Sequence, residues 1–181
     1  MTRITAAVSG KSYQKLMESV IQLSCFDCSL RPDRVFCDLP ADALEAFDAI
    51  KTIALYPRGT TLFSEGRPAR GVFLLCDGRA KLTVCSGNSR RLTLRIAGPG
   101  EMLGLSAAVS GTPYEVTAEM LDNSQVAFVR RKEMVRFLRL HRDACLQVVH
   151  LLSQDLHTAY DRVRAIGLVR ARHHALAKPA V

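Results

Sequence analysis

The chain lacks tryptophan altogether, and it lacks histidine until His141. All five histidines, His141, His150, His157, His173 and His174, fall in the last quarter of the 181 residues. A metal-dependent enzyme built on β-strands needs several imidazoles on facing strands, so that chemistry is excluded from the middle of the chain. There is no P-loop glycine run and no G-x-S-x-G elbow, and His150 and His157 sit seven apart, a spacing that flanks a helix seam. The chain therefore reads as a non-enzyme. No apolar run approaches the roughly eighteen residues that a membrane helix needs. The N-terminus, with Arg3, Lys11 and Lys15 among polar residues, has no signal-peptide core, so the expected location is the cytoplasm.

Glycine is scarce outside one stretch, since nine of the eleven lie between Gly59 and Gly111. Turn signals that recur every few residues point to short strands in a compact β-roll. Within it Ala80, Leu82 and Val84 alternate with Arg79, Lys81 and Thr83. Leu92, Leu94 and Ile96 alternate with Arg91, Thr93 and Arg95, and Val116, Ala118 and Met120 with Glu115, Thr117 and Glu119. Period-two alternation predicts strands with one face buried and one in water. The strands fall near 52–56, 60–63, 72–76, 79–85, 90–97, 101–103, 114–121 and 124–130, with hairpin signals at Asp77-Gly78 and Gly87-Asn88. Eight such strands make a jelly roll.

The net charge of +8 sits almost wholly at one end: residues 130–181 hold 11 Lys/Arg against 4 Asp/Glu, net +7. Such a segment is either a solvated helix face or a surface for polyanions and acidic partners. At 181 residues one domain with appended elements is the expectation. Before the roll, residues 11–24 have helical spacing, followed by a loop holding Cys25, Cys28 and Cys37. Pro40 suits the first turn of a helix in which Leu44, Phe47 and Ile50 share a face. After the roll comes a short helix with Met134, Phe137 and Leu138, then a long one from about Arg142 to Gly167. There Val149, Leu152, Leu156, Ala159, Val163 and Ile166 repeat at 3, 4, 3, 4 and 3, a heptad seam expected to pair two chains.

The order of Gly59-Thr60-Thr61-Leu62-Phe63-Ser64-Glu65-Gly66, Val72-Phe73-Leu74-Leu75, Asp77-Gly78-Arg79-Ala80-Lys81-Leu82 and Gly98-Pro99-Gly100-Glu101-Met102-Leu103-Gly104 resembles the bacterial Crp/Fnr regulators, as does the long helix ending Asp161-Arg162-Val163-Arg164. The resemblance covers about 20–178. It implies a mainly β fold with flanking helices: a double-stranded β-helix like that of cyclic-nucleotide-binding domains, followed by a long dimerisation helix. The expected parts are 1–51, N-terminal helices and Cys-rich loop; 52–131, β-roll sensor; 132–169, short helix and dimerisation helix; and 170–181, basic tail. In that family a winged helix-turn-helix follows and reads DNA. Fourteen residues remain beyond Gly167, so the expectation is the sensor and dimerisation half of a transcriptional regulator, without specific DNA binding of its own. The alternatives are an oxygen or redox sensor carrying an N-terminal iron-sulfur cluster, as the resemblance implies, and a truncated partner forming mixed dimers with a full-length regulator.

Relatives that bind a cyclic nucleotide neutralise its phosphate with an Arg in the loop after the G-x-x-x-G turn and hold the ribose with a Glu. Here no Lys or Arg lies between Ile96 and Val129, Leu105 stands where the Glu is expected, and the loop reads Ser110-Gly111-Thr112-Pro113-Tyr114. A buried anion without a cation is costly, so cyclic nucleotide is not the expected effector. Leu105 and Tyr114 are candidates to line a pocket for something else. The fumarate-nitrate branch carries an oxygen-labile iron-sulfur cluster on N-terminal thiolates, and the resemblance implies Cys25, Cys28 and Cys37 as metal ligands. Ala127 stands where the fourth is expected, leaving Cys145 as its substitute. Reduced thiols are the competing reading.

Overall fold

The computed structural model describes residues 24–26, 28, 38–85 and 91–176, with side chains as far as Arg164. The helix expected over 11–24 lies, but for Ser24, outside the described residues, as do Cys37, Gly87-Asn88 and the end of the basic tail. Helix α1 (Ala41–Ile50) follows Pro40, whose carbonyl accepts the Leu44 N–H at 2.8 Å. Ala43, Leu44 and Phe47 share its buried face.

Eight strands follow: β1 (Thr52–Tyr56), β2 (Thr61–Phe63), β3 (Gly71–Leu75), β4 (Ala80–Cys85), β5 (Arg91–Ala97), β6 (Met102–Leu103), β7 (Thr117–Met120) and β8 (Ser124–Arg130). They form two four-stranded antiparallel sheets in the orders β1-β8-β3-β6 and β2-β7-β4-β5. This is the expected mainly β jelly roll. One core lies between the sheets and contains Phe63, Leu75, Leu82, Tyr114 and Met120. A second lies where the helices cover β1, β3, β6 and β8, and joins Phe47, Ile53, Val72, Val129, Met134 and Phe137.

Three features depart from the sequence expectation. Asp77-Gly78 turns the chain but closes no hairpin, because β3 belongs to one sheet and β4 to the other. In β5 the register shifts so that Leu82 faces Arg95 while Thr83 faces Thr93, leaving Leu94 between them. A bulge of this kind inverts the faces on one side of it. Ile96 then pairs with Lys81 on the outer face and is 53% exposed, and Arg95 turns to the inner face with Leu82. Third, the α2 helix (Leu105–Ser110) occupies a stretch for which the sequence pattern predicts no element, just before the loop that begins at Ser110.

Helix α3 (Arg131–Leu140) is the expected short helix, and α4 (Arg142–Leu176) is the long one. Gly167 does not end α4. A single interior glycine costs a helix only about 1 kcal/mol, and no proline follows until Pro179. Ala144 and Val148 root α4 in the helix-side core with Leu151 and Leu152 against it, and residues 153–161 are all exposed.

Candidate functional site

Tyr114 is the centre of the inner core. Its ring stacks on Phe63 at 4.2 Å between centroids, its hydroxyl donates to the Gly71 carbonyl at 2.8 Å, and the Gly71 N–H donates back at 3.3 Å. Burial pushes its phenol above the ordinary value, only partly offset by bonds from the Gly71 and Arg70 backbone. Gly104 lets the ring approach, since at φ +74 it would place a Cβ 2.6 Å from Tyr114 Cε1. The two residues singled out as pocket lining are separated by the fold. Tyr114 lines a cleft between the sheets, whereas Leu105 is buried on the helix side.

Two cations on the other side of Tyr114 from the cleft are engaged. Arg95 bonds Glu101 and lies 3.8 Å from Asp155 of α4, while Arg131 Nε donates to the Ala108 carbonyl at 2.8 Å. Glu101 also accepts the Gly98 N–H at 2.7 Å, which makes it a brace for its own turn. Sequence reasoning missed Arg95 on the inner face, because only the bulge puts it there.

The cysteines do not converge among the described residues. Cys25 is buried, and its thiol accepts a bond from Lys51 Nζ at 3.0 Å. Asp48 binds the same ammonium and accepts the Cys25 N–H at 2.7 Å. Burial pushes the Cys25 thiol up, with Lys51 offsetting part of the rise. Cys85 and Cys145 are exposed, and Cys76 is partly buried against the helix-side core. No three His, Cys, Asp or Glu side chains among the described residues form a metal-holding group. The Cys25 sulfur thus accepts the Lys51 ammonium, Cys28 is partly buried, and Cys37, the third expected ligand, lies outside the described residues. Asp48 and Lys51, three apart at the end of α1, were the sequence signal for this cluster.

Residues 54–141 match the family described as Cyclic nucleotide-binding domain. Over that segment, just under half of the chain, it is similar to cyclic nucleotide-binding domains. The chain is similar to the transcriptional activatory protein AadR of Rhodopseudomonas palustris, 27% identical over 141 residues, covering 77% of this chain and 57% of that protein. It is also similar to the nitrogen fixation regulation protein FixK of Bradyrhizobium diazoefficiens, 24% identical over 143 residues and covering 79% and 59%. The chain thus spans less than two thirds of the length of these curated relatives. Among solved structures, the catabolite activator protein of Thermus thermophilus shares the fold with a TM-score of 0.66 at 19% identity, covering 74% of this chain and 62% of that one. The sensor domain of the transcriptional regulator DNR from Pseudomonas aeruginosa does so with a TM-score of 0.59 at 21% identity, covering 83% and 92%.

The matched segment ends just before α4, and the expected seam lies along that helix. Val149, Leu156 and Val163 are 58%, 50% and 68% exposed, and Ala159 is exposed too. Leu152 is half-buried, because at that level the helix still touches the core. The side chain of Ile166 lies outside the described residues. Tyr160, 56% exposed, and Leu146 add apolar surface at the same heptad rhythm. No helix among the described residues is long and apolar enough to cross a membrane.

Proposed function

We propose that this chain is the effector-sensing and dimerisation part of a Crp/Fnr-type transcriptional regulator, and that its effector is not a cyclic nucleotide. The observation that carries the first statement is the row Leu156, Tyr160 and Val163, exposed on a helix that past Leu152 has left its own core, with exposed Val149 one heptad before it. Apolar side chains at heptad spacing with nothing to cover them fit a parallel partner helix. Similarity to the activator and the nitrogen fixation regulator supports the regulatory role. Sedimentation equilibrium is expected to show a dimer. The double substitution Leu156→Glu and Val163→Glu is expected to weaken it by roughly a hundredfold or more, since two charges would face their own copies across the seam. A monomeric parent chain, or a dimer indifferent to both glutamates, would sink the reading.

The second statement rests on charge. The α2–β7 loop carries no cation, Tyr114 fills its space with a phenol already bonded to Gly71, and Arg95 and Arg131 have partners. A phosphodiester buried behind that loop would find Arg95 and Arg131 already engaged and no cation on the loop itself. Equilibrium dialysis with cyclic AMP and cyclic GMP is expected to show no binding at about 100 μM ligand, where a dedicated site would be saturated. Micromolar binding of either nucleotide would overturn it.

A further inference from the structure

A cleft of about 1050 Å³ opens between Tyr56 on β1, the edge of one sheet, and β2, the edge of the other. No described residue of α2, β4, β5, β6 or α4 lines it, and it shares only Tyr114 with the loop where a nucleotide's Arg would be sought. Its floor is aromatic. Phe63 stacks on Tyr114 and, at 5.4 Å between centroids, on Phe73, which in turn meets Phe128 at 4.9 Å.

The lining is cationic where it is charged. Arg67 and Arg70, both exposed, stand in the β2–β3 turn, and no Asp or Glu is among the described residues that line the cleft. Neither guanidinium has a carboxylate partner among the described residues. The backbone N–H groups of the same turn are spent internally: Glu65 donates to Thr117 Oγ1, Gly66 to the Tyr114 carbonyl and Arg67 to the Ser64 carbonyl. A phosphate is commonly cradled by several free N–H groups, and this turn has none of these three to offer. A carboxylate needs only the planar fork that arginine presents.

We propose that this cleft binds a planar aromatic carboxylate, with its rings among Phe63, Phe73 and Phe128 and its carboxylate between Arg67 and Arg70. The volume suits a fused two-ring body, since small-molecule sites run from about 300 to 1,000 Å³. Rings stack on rings, and the charged end stays at the mouth, where neither it nor the arginines are fully desolvated. The inference deepens the sensor reading and rests on it for the consequence of occupancy, not for the binding itself.

Equilibrium dialysis with 2-naphthoate, followed by its fluorescence, tests the proposal against the neutral 2-naphthamide of the same shape. The acid is expected to bind roughly tenfold or more tightly than the amide. Arg67→Gln with Arg70→Gln is expected to weaken the acid by about the same factor and leave the amide unchanged. Equal binding of acid and amide overturns the proposal, as does absence of naphthoate binding at about 1 mM or an acid affinity indifferent to both substitutions. Should the double variant fail to fold, the acid–amide comparison on the parent chain still decides. Sedimentation of the same sample separates this from the regulator reading: a monomer that binds naphthoate keeps the cleft and loses the regulator, and a dimer blind to naphthoate does the reverse.

Discussion

Gly71→Ala is expected to destabilise the protein by about 3 kcal/mol, near the upper end of what overpacking a core does. Gly71 begins β3 opposite Arg130 of β8. A Cβ there would land on the Val129 carbonyl oxygen and 2.6 Å from Phe128 Cε2. The first obstacle is backbone in a strand paired on both sides, so it cannot swing away as a side chain would. Any shift also disturbs the reciprocal bonds between Gly71 and the Tyr114 hydroxyl, and the Arg131 N–H to Arg70 carbonyl bond at 2.8 Å. Urea unfolding measures it, with Arg70→Ala as the exposed neighbour expected within about 0.5 kcal/mol of the parent. A loss below about 1 kcal/mol for Gly71→Ala would show that β3 and β8 separate easily.

Asp48→Ala is expected to cost about 3 kcal/mol, the lower end for breaking a buried ion pair, because the Asp48 side chain is 20% exposed and that of Lys51 only 2%. The substitution leaves the ammonium with the Cys25 sulfur as its remaining partner. Adding Lys51→Met is expected to bring stability back to within about 1 kcal/mol of the parent, since the buried charge goes with it. A double variant as unstable as Asp48→Ala alone would refute this account of the cluster.

The same cluster sets the pH window. Desolvation tends to raise the Asp48 carboxyl, but its bonds from Lys51 and the Cys25 N–H outweigh that and hold it below the ordinary 3.8. Its contribution is present above the ordinary value and is lost as pH falls through the depressed one. Desolvation tends to lower Lys51, but Asp48 and Cys25 outweigh it and raise the ammonium above 10.5. Burial raises the Cys25 thiol above 9.0. These two contributions are present below the ordinary values and are lost as pH rises through the raised ones. Unfolding midpoints should therefore be flat between the carboxylate and thiol ranges, and the flat region should lose its acid edge in Asp48→Ala.

Strand positions were legible because glycine and alternation mark them: all eight expected strands overlap observed ones, and β1 and β8 have the expected bounds. Faces were less legible where the register slips. Leu92, Leu94 and Ile96 read as one buried face, but no single-strand pattern announces a bulge, and only the pairing with β4 shows that Arg95 faces inward. The stretch 105–110 hid α2 because six residues are too few to display a helical period, although Gly104 and Gly111 cap it at both ends. At the candidate site, Tyr114 was legible as a departure from the nucleotide-binding pattern. The arginines of the cleft were not, since Arg67 and Arg70 join the aromatic rings only when β1 and β2 become neighbouring sheet edges.

The rooting of α4 turns the roll and its helix into a lever with a short fixed end. Ala144 and Val148 hold the root, and from Leu152 to Leu176 the helix runs on for roughly 36 Å at 1.5 Å per residue. A tilt of about 10° at the root would sweep the far end through about 6 Å, although the packed side chains at Val148 would shift by far less. Beyond the root, the Arg95–Asp155 contact at 3.8 Å is a tie between β5 and the free arm, placed close to the fulcrum, where it can limit the angle but has little mechanical advantage over the tip.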